Sequence, residues 1–72
     1  MLQKMNFGFL KEIISDRIGS QKELAERLGL SLTSLGNKLN NRVDFTYDEI
    51  FKIKVILGLS EEETYRCFFI AK

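Results

Sequence analysis

The 72-residue chain contains no histidine, and it has a single cysteine, Cys67. Histidine is the commonest general base and a frequent zinc ligand, so its absence argues against both acid–base catalysis and a zinc site. One cysteine cannot form an internal disulfide, and we expect Cys67 to be a small buried hydrophobe. The serines lack the spacing of an activated nucleophile, and there is no glycine-rich phosphate loop. These absences predict a protein that is not an enzyme and needs no metal or cofactor.

The sequence also lacks an apolar run of about 18 residues and a charged-then-apolar leader. These absences argue against a membrane span or a secretory signal and predict a cytoplasmic protein. No proline, repeat or low-complexity linker interrupts the chain, so residues 1–72 are expected to form a single domain. A chain of this length buries only about 60% of its unfolded surface, which makes the domain marginally stable.

Net charge is low, at +1, but it is unevenly distributed. Residues 1–19 sum to +1, residues 20–42 to +2 and residues 43–72 to −2. The middle of the chain therefore carries a modest positive stripe, which is typical of a weak nucleic-acid contact. The acidic run Glu61, Glu62 and Glu63 is expected to complement the positive end of a helix dipole, with docking of a basic partner as the alternative.

Helix boundaries are indicated by paired capping residues and by glycines. Three capping boxes, in which a hydroxyl and a carboxylate satisfy the first amides of a helix, are formed by Ser20 with Glu23, Thr46 with Glu49, and Ser60 with Glu63. Gly19, Gly29 and Gly58 follow apolar-periodic runs and are suited to end helices. This punctuation predicts an all-α domain of five helices, at about 6–18, 21–28, 31–40, 47–57 and 61–70.

Apolar residues at helical spacing predict the core. The predicted set is Leu24, Ala25, Leu28, Leu35, Leu39, Ile50, Ile53, Leu57, Ile13 and Ile14. Helix 4 is expected to add Phe51 or Ile56, and helix 5 offers Tyr65, Phe68 and Phe69. Consecutive residues lie about 100° apart on a helix, so Phe68, Phe69 and Ile70 cannot all face the core. The exposed remainder either widens an apolar cap on the core or forms a partner surface, for instance that of a weak homodimer.

The most informative segment is residues 20–42, which indicates two short helices joined by a glycine turn. Leu24, Leu28, Leu35 and Leu39 can share one core, and Ala25 is small enough for the two helices to approach closely. This segment resembles the helix-turn-helix of the phage Cro and lambda-repressor-like superfamily, over roughly residues 20–57. Gln21, Ala25, Gly29 and Leu35 match that family's leading glutamine, small residue, turn glycine and recognition-helix core residue. The stretches 40–42 and 45–50 are similar to versions carried by phages of Gram-positive bacteria.

The resemblance implies a regulator that binds double-stranded operator DNA in a lysis–lysogeny type of switch. Helix 3 would enter the major groove, and Gln21 would contact a phosphate at the start of helix 2. Residues 40–42 would grip the DNA backbone. The expected DNA-binding residues are Gln21, Ser31, Leu32, Thr33, Ser34, Asn37, Lys38, Asn40, Asn41 and Arg42.

Two positions depart from the family pattern. Lys38 stands where the family usually has an apolar residue, and Leu39 offers one a step later. Leu32 occupies a position where relatives often carry a polar, base-reading residue. Leu32 has three interpretations: contact with a thymine methyl, partial packing under helix 2, or part of a protein-binding face. The last supports an alternative function, because temperate phages of this kind also encode modulators of repression, or antirepressors, that bind the DNA-binding domain of a phage repressor.

Overall fold

A computed structural model describes residues 5–69 of the chain. Across these residues the backbone forms five helices in an all-α fold, as the sequence predicts: α1 Gly8–Arg17, α2 Gln21–Leu28, α3 Leu32–Leu39, α4 Tyr47–Leu57 and α5 Glu61–Phe68. The observed boundaries agree with the predicted ones to within two residues. The predicted end of helix 5, at Ile70, lies outside the described residues. None of the described helices is long and apolar enough to cross a membrane.

Hydroxyl groups cap four of the five helices. The capping side chain accepts a hydrogen bond from the N–H three residues later in every case, at Ser20, Ser31, Thr46 and Ser60. The predicted boxes at Thr46 and Ser60 are complete. The predicted box at Ser20 is only half formed, because the Glu23 carboxylate lies 3.1 Å from Arg27 Nε, one turn ahead, and pairs with that guanidinium.

The buried core combines one face of each helix. Most of the predicted core residues are buried, whereas Leu28 and Ile50 are only half-buried. Of the two candidates on α4, Ile56 packs against the core and Phe51 is exposed. Cys67 is fully buried, as expected. The buried apolar residues are Phe7, Leu10, Ile13, Ile14, Leu24, Ala25, Leu35, Leu39, Ile53, Leu57, Leu59, Cys67 and Phe68.

An aromatic cluster joins three distant parts of the chain. The rings of Phe7, Phe45 and Phe68 meet edge to face, with centroids 5.3 to 6.4 Å apart. Such pairs contribute about 0.5–1.5 kcal/mol each beyond the burial of their area. The cluster packs the segment before α1 and the loop before α4 against α5.

An arginine fastens the end of α1 to the turn between α4 and α5. The Arg17 guanidinium donates to the backbone oxygens of Leu57 and Gly58, at 3.1 and 3.3 Å, and pairs with Glu63 at 2.6 Å. The pKa of Glu63 lies below its ordinary value, because the Ser60 N–H and then the guanidinium stabilise the carboxylate. This contact fixes the first turn of α5 against the last turn of α1.

Candidate functional site

The candidate site is the outer face of α2 and α3, which we call the α2–α3 pair. A tight turn centred on Gly29 joins the two helices. Gly29 adopts φ 74° and ψ 25°, a left-handed conformation that is strained for residues with a Cβ. The following N–H, of Leu30, donates to Ala25 O at 2.9 Å, so the last turn of α2 is satisfied before α3 begins. Leu24, Ala25, Leu35 and Leu39 are buried beneath the pair.

The outward side of α3 is polar but uncharged. Ser31, Thr33 and Ser34 are exposed, and Asn37 is half-buried. The hydroxyls of Ser31 and Ser34 lie 3.0 Å apart and hydrogen-bond to each other while Ser31 caps the helix. Leu32 stands among these residues with 50% of its surface exposed. Half of Leu32 is therefore accessible at the surface, and all three interpretations of this residue agree with that exposure.

Lys38 differs from the sequence-based expectation that it lies on the outer face. Its side chain is buried, and its ammonium pairs with Glu49 at 2.9 Å and donates to Asp44 O at 3.1 Å. The ammonium also lies 5.9 Å from the centroid of the Phe45 ring. Burial tends to raise the pKa of Glu49, but the Thr46 N–H and the Lys38 ammonium outweigh it, so the pKa is lowered. The charge of Lys38 is therefore satisfied inside the protein.

The burial of Lys38 agrees with the apolar residue that the superfamily resemblance places at this position. Its stem lies with the adjacent Leu39 on the inward side of α3, and the ammonium reaches α4. The remaining charged side chains of residues 20–42 are three basic and two acidic. One basic group of the three, Arg27, already pairs with Glu23. The positive stripe predicted from the sequence is thus weaker on the surface than in the sequence.

Asn41 also has a structural role rather than a free side chain. Its Oδ1 accepts from Met5 N at 2.8 Å, and its Nδ2 donates to Met5 O at 2.9 Å. Its backbone has φ 62°, a left-handed conformation that asparagine tolerates better than most residues. Asn41 therefore ties the chain before α1 to the turn after α3. The neighbouring predicted contacts, Asn40 and Arg42, are exposed, and Gln21 is half-buried at the start of α2.

The structure exposes two apolar surfaces. The sequence predicted an exposed remainder at the end of helix 5, but it assigned no exposed apolar surface to α4. On α4, Tyr47, Phe51 and Val55 are 85%, 64% and 65% exposed. On α5, the rings of Tyr65 and Phe69 stack on each other, with centroids 6.3 Å apart, and both are exposed, contrary to the expected contribution of Tyr65 to the core. The signal in the sequence for the surface on α4 was the interval of four residues between Tyr47, Phe51 and Val55, which places them on a different side of the helix from the core residues. Among the described residues no cluster of metal-ligating side chains occurs.

Comparison with known proteins places the chain in a family. A model of a family described as "Protein of unknown function (DUF739)" matches residues 4–71. The chain belongs to this DUF739 family. No curated protein matches the chain.

A solved structure adds a functional context for this DUF739 chain. The chain is similar to the modulator of repression (MOR) of the temperate bacteriophage TP901-1 from Lactococcus lactis, whose structure was determined in solution. The TM-score is 0.77 at 30% sequence identity, and the match covers 92% of this chain and 89% of that protein. The likeness supports the phage-type regulator expected from the sequence, and it favours the alternative function, modulation of repression. Membership of the Cro and lambda-repressor-like superfamily stays a prediction.

Proposed function

We propose that this protein is a phage modulator of repression, and that the α2–α3 pair binds the DNA-binding domain of the repressor from the same phage. The observation that carries the proposal is Leu32, which is half exposed on an uncharged surface. An apolar side chain that is surrounded by hydroxyl and amide groups suits the buried centre of a protein interface with a polar rim. The likeness to MOR of TP901-1 supports the same function. No catalytic step is part of this proposal.

The electrostatics of the α2–α3 pair support a protein partner over DNA. Most of the affinity for DNA comes from cations that neutralise phosphates. The one lysine of α3 is buried in the pair with Glu49, and Arg27 is paired with Glu23, which leaves Lys22 and Arg42 as the other basic residues of this segment. Two or three phosphate contacts per molecule predict weak binding that falls only gently with salt.

Operator binding remains the second candidate function. It is favoured by the polar groups on the outside of α3, where Thr33 is exposed and Asn37 is half-buried, and by exposed Arg42 in the turn that follows. In operator binding, base edges or nearby phosphates would be contacted by Ser31, Thr33, Ser34 and Asn37, and the DNA backbone by Asn40 and Arg42. Gln21 would contact a phosphate at the amino end of α2. Leu32 would then touch a thymine methyl.

Substitution of Leu32 by glutamine separates the two functions. In a protein interface Leu32 is an apolar anchor, and Leu32→Gln should weaken association by about 1–3 kcal/mol, roughly 5-fold to 150-fold in Kd. In the DNA groove, glutamine supplies a base-reading amide, so affinity should stay intact or the preferred sequence should change. The measurement is calorimetric titration of the protein with the repressor DNA-binding domain, and separately with promoter DNA.

Tyr65→Gln provides a matched control, because Tyr65 is 56% exposed but lies on α5. It should leave repressor binding at the wild-type level. Two results together would reject the modulator proposal in favour of the operator function. The wild-type protein would show no association with the repressor domain, and it would bind promoter DNA with an affinity that Gln21→Ala weakens without altering sequence preference.

A further inference from the structure

The outer side of α4 presents a narrow apolar stripe that the proposed function does not use. Tyr47, Phe51 and Val55 follow one another at intervals of four residues, and each is at least 64% exposed. At about 100° per residue, each member is displaced by only about 40° from the one before it, so the three side chains form a continuous row along two turns. Tyr47 and Phe51 are large aromatic groups, and their exposure leaves much apolar area in water.

Charged residues border this stripe in a specific order. Asp48 and Lys52 lie on the same flank of α4, where they form an exposed ion pair of 3.2 Å. Beside the stripe on this flank is a shallow, mainly apolar depression between α2 and α4, and it is lined by Arg27, Phe51, Lys52, Val55 and Ile56. The flank is thus acidic near the start of α4 and basic towards its end.

This pattern is self-complementary when α4 meets a reversed copy of itself. A twofold axis perpendicular to α4 near Phe51 places Phe51 against Phe51 of the second copy, and Tyr47 against its Val55. The same axis keeps equivalent flanks on the same side and reverses their order. Asp48 of each copy therefore faces Lys52 of the other, with Arg27 close by. A parallel arrangement would instead set this flank against the opposite flank of the second copy, so Asp48 would not face Lys52.

We propose that the Tyr47–Phe51–Val55 stripe is a homodimer interface, in which the α4 helices of two copies pack antiparallel about Phe51. The depression beside Val55 then receives apolar groups of the second copy, and the two Asp48–Lys52 contacts set the register. Opposite charges on a flank select the antiparallel orientation, as they do between paired helices elsewhere.

The area of the stripe predicts a weak dimer. With aromatic side chains of about 150–250 Å² each, the three residues contribute on the order of 400 Å² per copy, about half of a standard interface. A dissociation constant on the order of 100 μM to 1 mM is expected for an interface of this size. The protein should therefore be monomeric when dilute and associate as its concentration rises.

Sedimentation equilibrium between 10 μM and 1 mM tests the stripe. The weight-average mass of the wild type should rise towards that of a dimer, whereas Phe51→Asp should remain monomeric at every concentration. Both Phe51 and the control position, Tyr65, are exposed, so the substitutions should leave the helical circular-dichroism spectrum unchanged. Tyr65→Asp should associate like the wild type.

A charge-exchange experiment tests the antiparallel register. Asp48→Lys makes both flank positions basic, and Lys52→Asp makes both acidic, so each variant alone should associate at least fivefold more weakly than the wild type. An equimolar mixture of the two variants brings opposite charges together at every flank contact, and it should associate at least as tightly as the wild type.

Three outcomes would overturn the homodimer. They are a wild type that stays monomeric at 1 mM, a Phe51→Asp variant that associates like the wild type, and a charge-exchanged mixture no tighter than its components. A monomeric wild type whose Phe51→Asp variant loses repressor binding would assign this stripe to the repressor instead. The result for Leu32→Gln is independent of all these outcomes, because Leu32 lies on α3.

Discussion

Replacement of Lys38 by methionine should cost little stability, although it removes a buried ion pair. Methionine keeps the length and apolar stem of the lysine, so packing around α3 is largely preserved. Glu49 remains ionised beside its Thr46 N–H donor, and its side chain is 18% exposed. Removal of one partner of a buried pair is damaging when the other charge is left unpaired and out of water, but Glu49 keeps this hydrogen bond and part of its contact with water. We expect a loss of about 0.5–1 kcal/mol.

Removal of the other partner should be far more damaging. Glu49→Ala leaves the Lys38 ammonium, whose side chain is 10% exposed, with Asp44 O as its remaining hydrogen-bond acceptor. A fully buried unpaired charge costs about 3–5 kcal/mol, and the partial exposure here reduces this to about 2. Loss of the bond from Thr46 N adds about 0.5–1 kcal/mol. A total near 3 kcal/mol is a large part of the roughly 5 kcal/mol expected for a domain of this size.

Urea unfolding followed by circular dichroism measures both effects. With a slope of about 1 kcal/mol per M, Glu49→Ala should lower the midpoint by about 3 M and Lys38→Met by less than 1 M. The exposed pair Asp48–Lys52 is the control, and Asp48→Ala should cost less than about 0.5 kcal/mol. Equal destabilisation by Lys38→Met and Glu49→Ala would refute the argument, as would a Lys38→Met variant that stays folded but specifically loses DNA affinity.

Three further predictions concern acid stability, the thiol and the turn after α3. Because the pKa of Glu49 in the folded protein lies below its ordinary 4.5, its contribution to stability is complete above that pH and is lost as the pH falls through the folded pKa. Glu49→Gln should therefore flatten the decline in stability below pH 4.5, as measured by urea titrations from pH 3 to 6. Burial, assisted by Glu63, raises the pKa of Cys67 to about 11. Iodoacetamide at pH 8 should therefore alkylate the thiol of the native protein at least about 100-fold more slowly than that of the protein in 6 M urea, and equal rates would contradict its burial. Asn41→Ala should lower the free energy of unfolding by about 2 kcal/mol, because two hydrogen bonds to Met5 are lost and alanine is strained at this φ. Asn41→Gly should lower it less, because glycine accepts that φ, and the reverse order in thermal unfolding would contradict the structural role of Asn41.

Local sequence signals predicted the helices because the responsible interactions span only a few residues. The hydroxyl of Ser60 and the carboxylate of Glu63 cap their own helix through bonds that span three residues, and Gly29 takes up a left-handed turn without steric cost. The apolar rows Ile13 with Ile14 and Leu35 with Leu39 similarly identified their buried faces. Periodicity was less informative for α4, where apolar residues occur on two sides, and it did not show that Phe51 is the exposed one.

The sequence by itself determined the all-α class and the helix boundaries, because each depends on spacing within one or two turns. Only the tertiary structure decided which polar groups are available for binding. The Lys38 ammonium forms an ion pair with Glu49, eleven residues later and on another helix, and the Asn41 side chain is hydrogen-bonded to Met5, 36 residues earlier. Such partners are brought together by packing of the helices around a common core, and neither contact has a periodic signature in the chain. Burial of the Lys38 charge thereby leaves the outer side of α3 uncharged around Leu32.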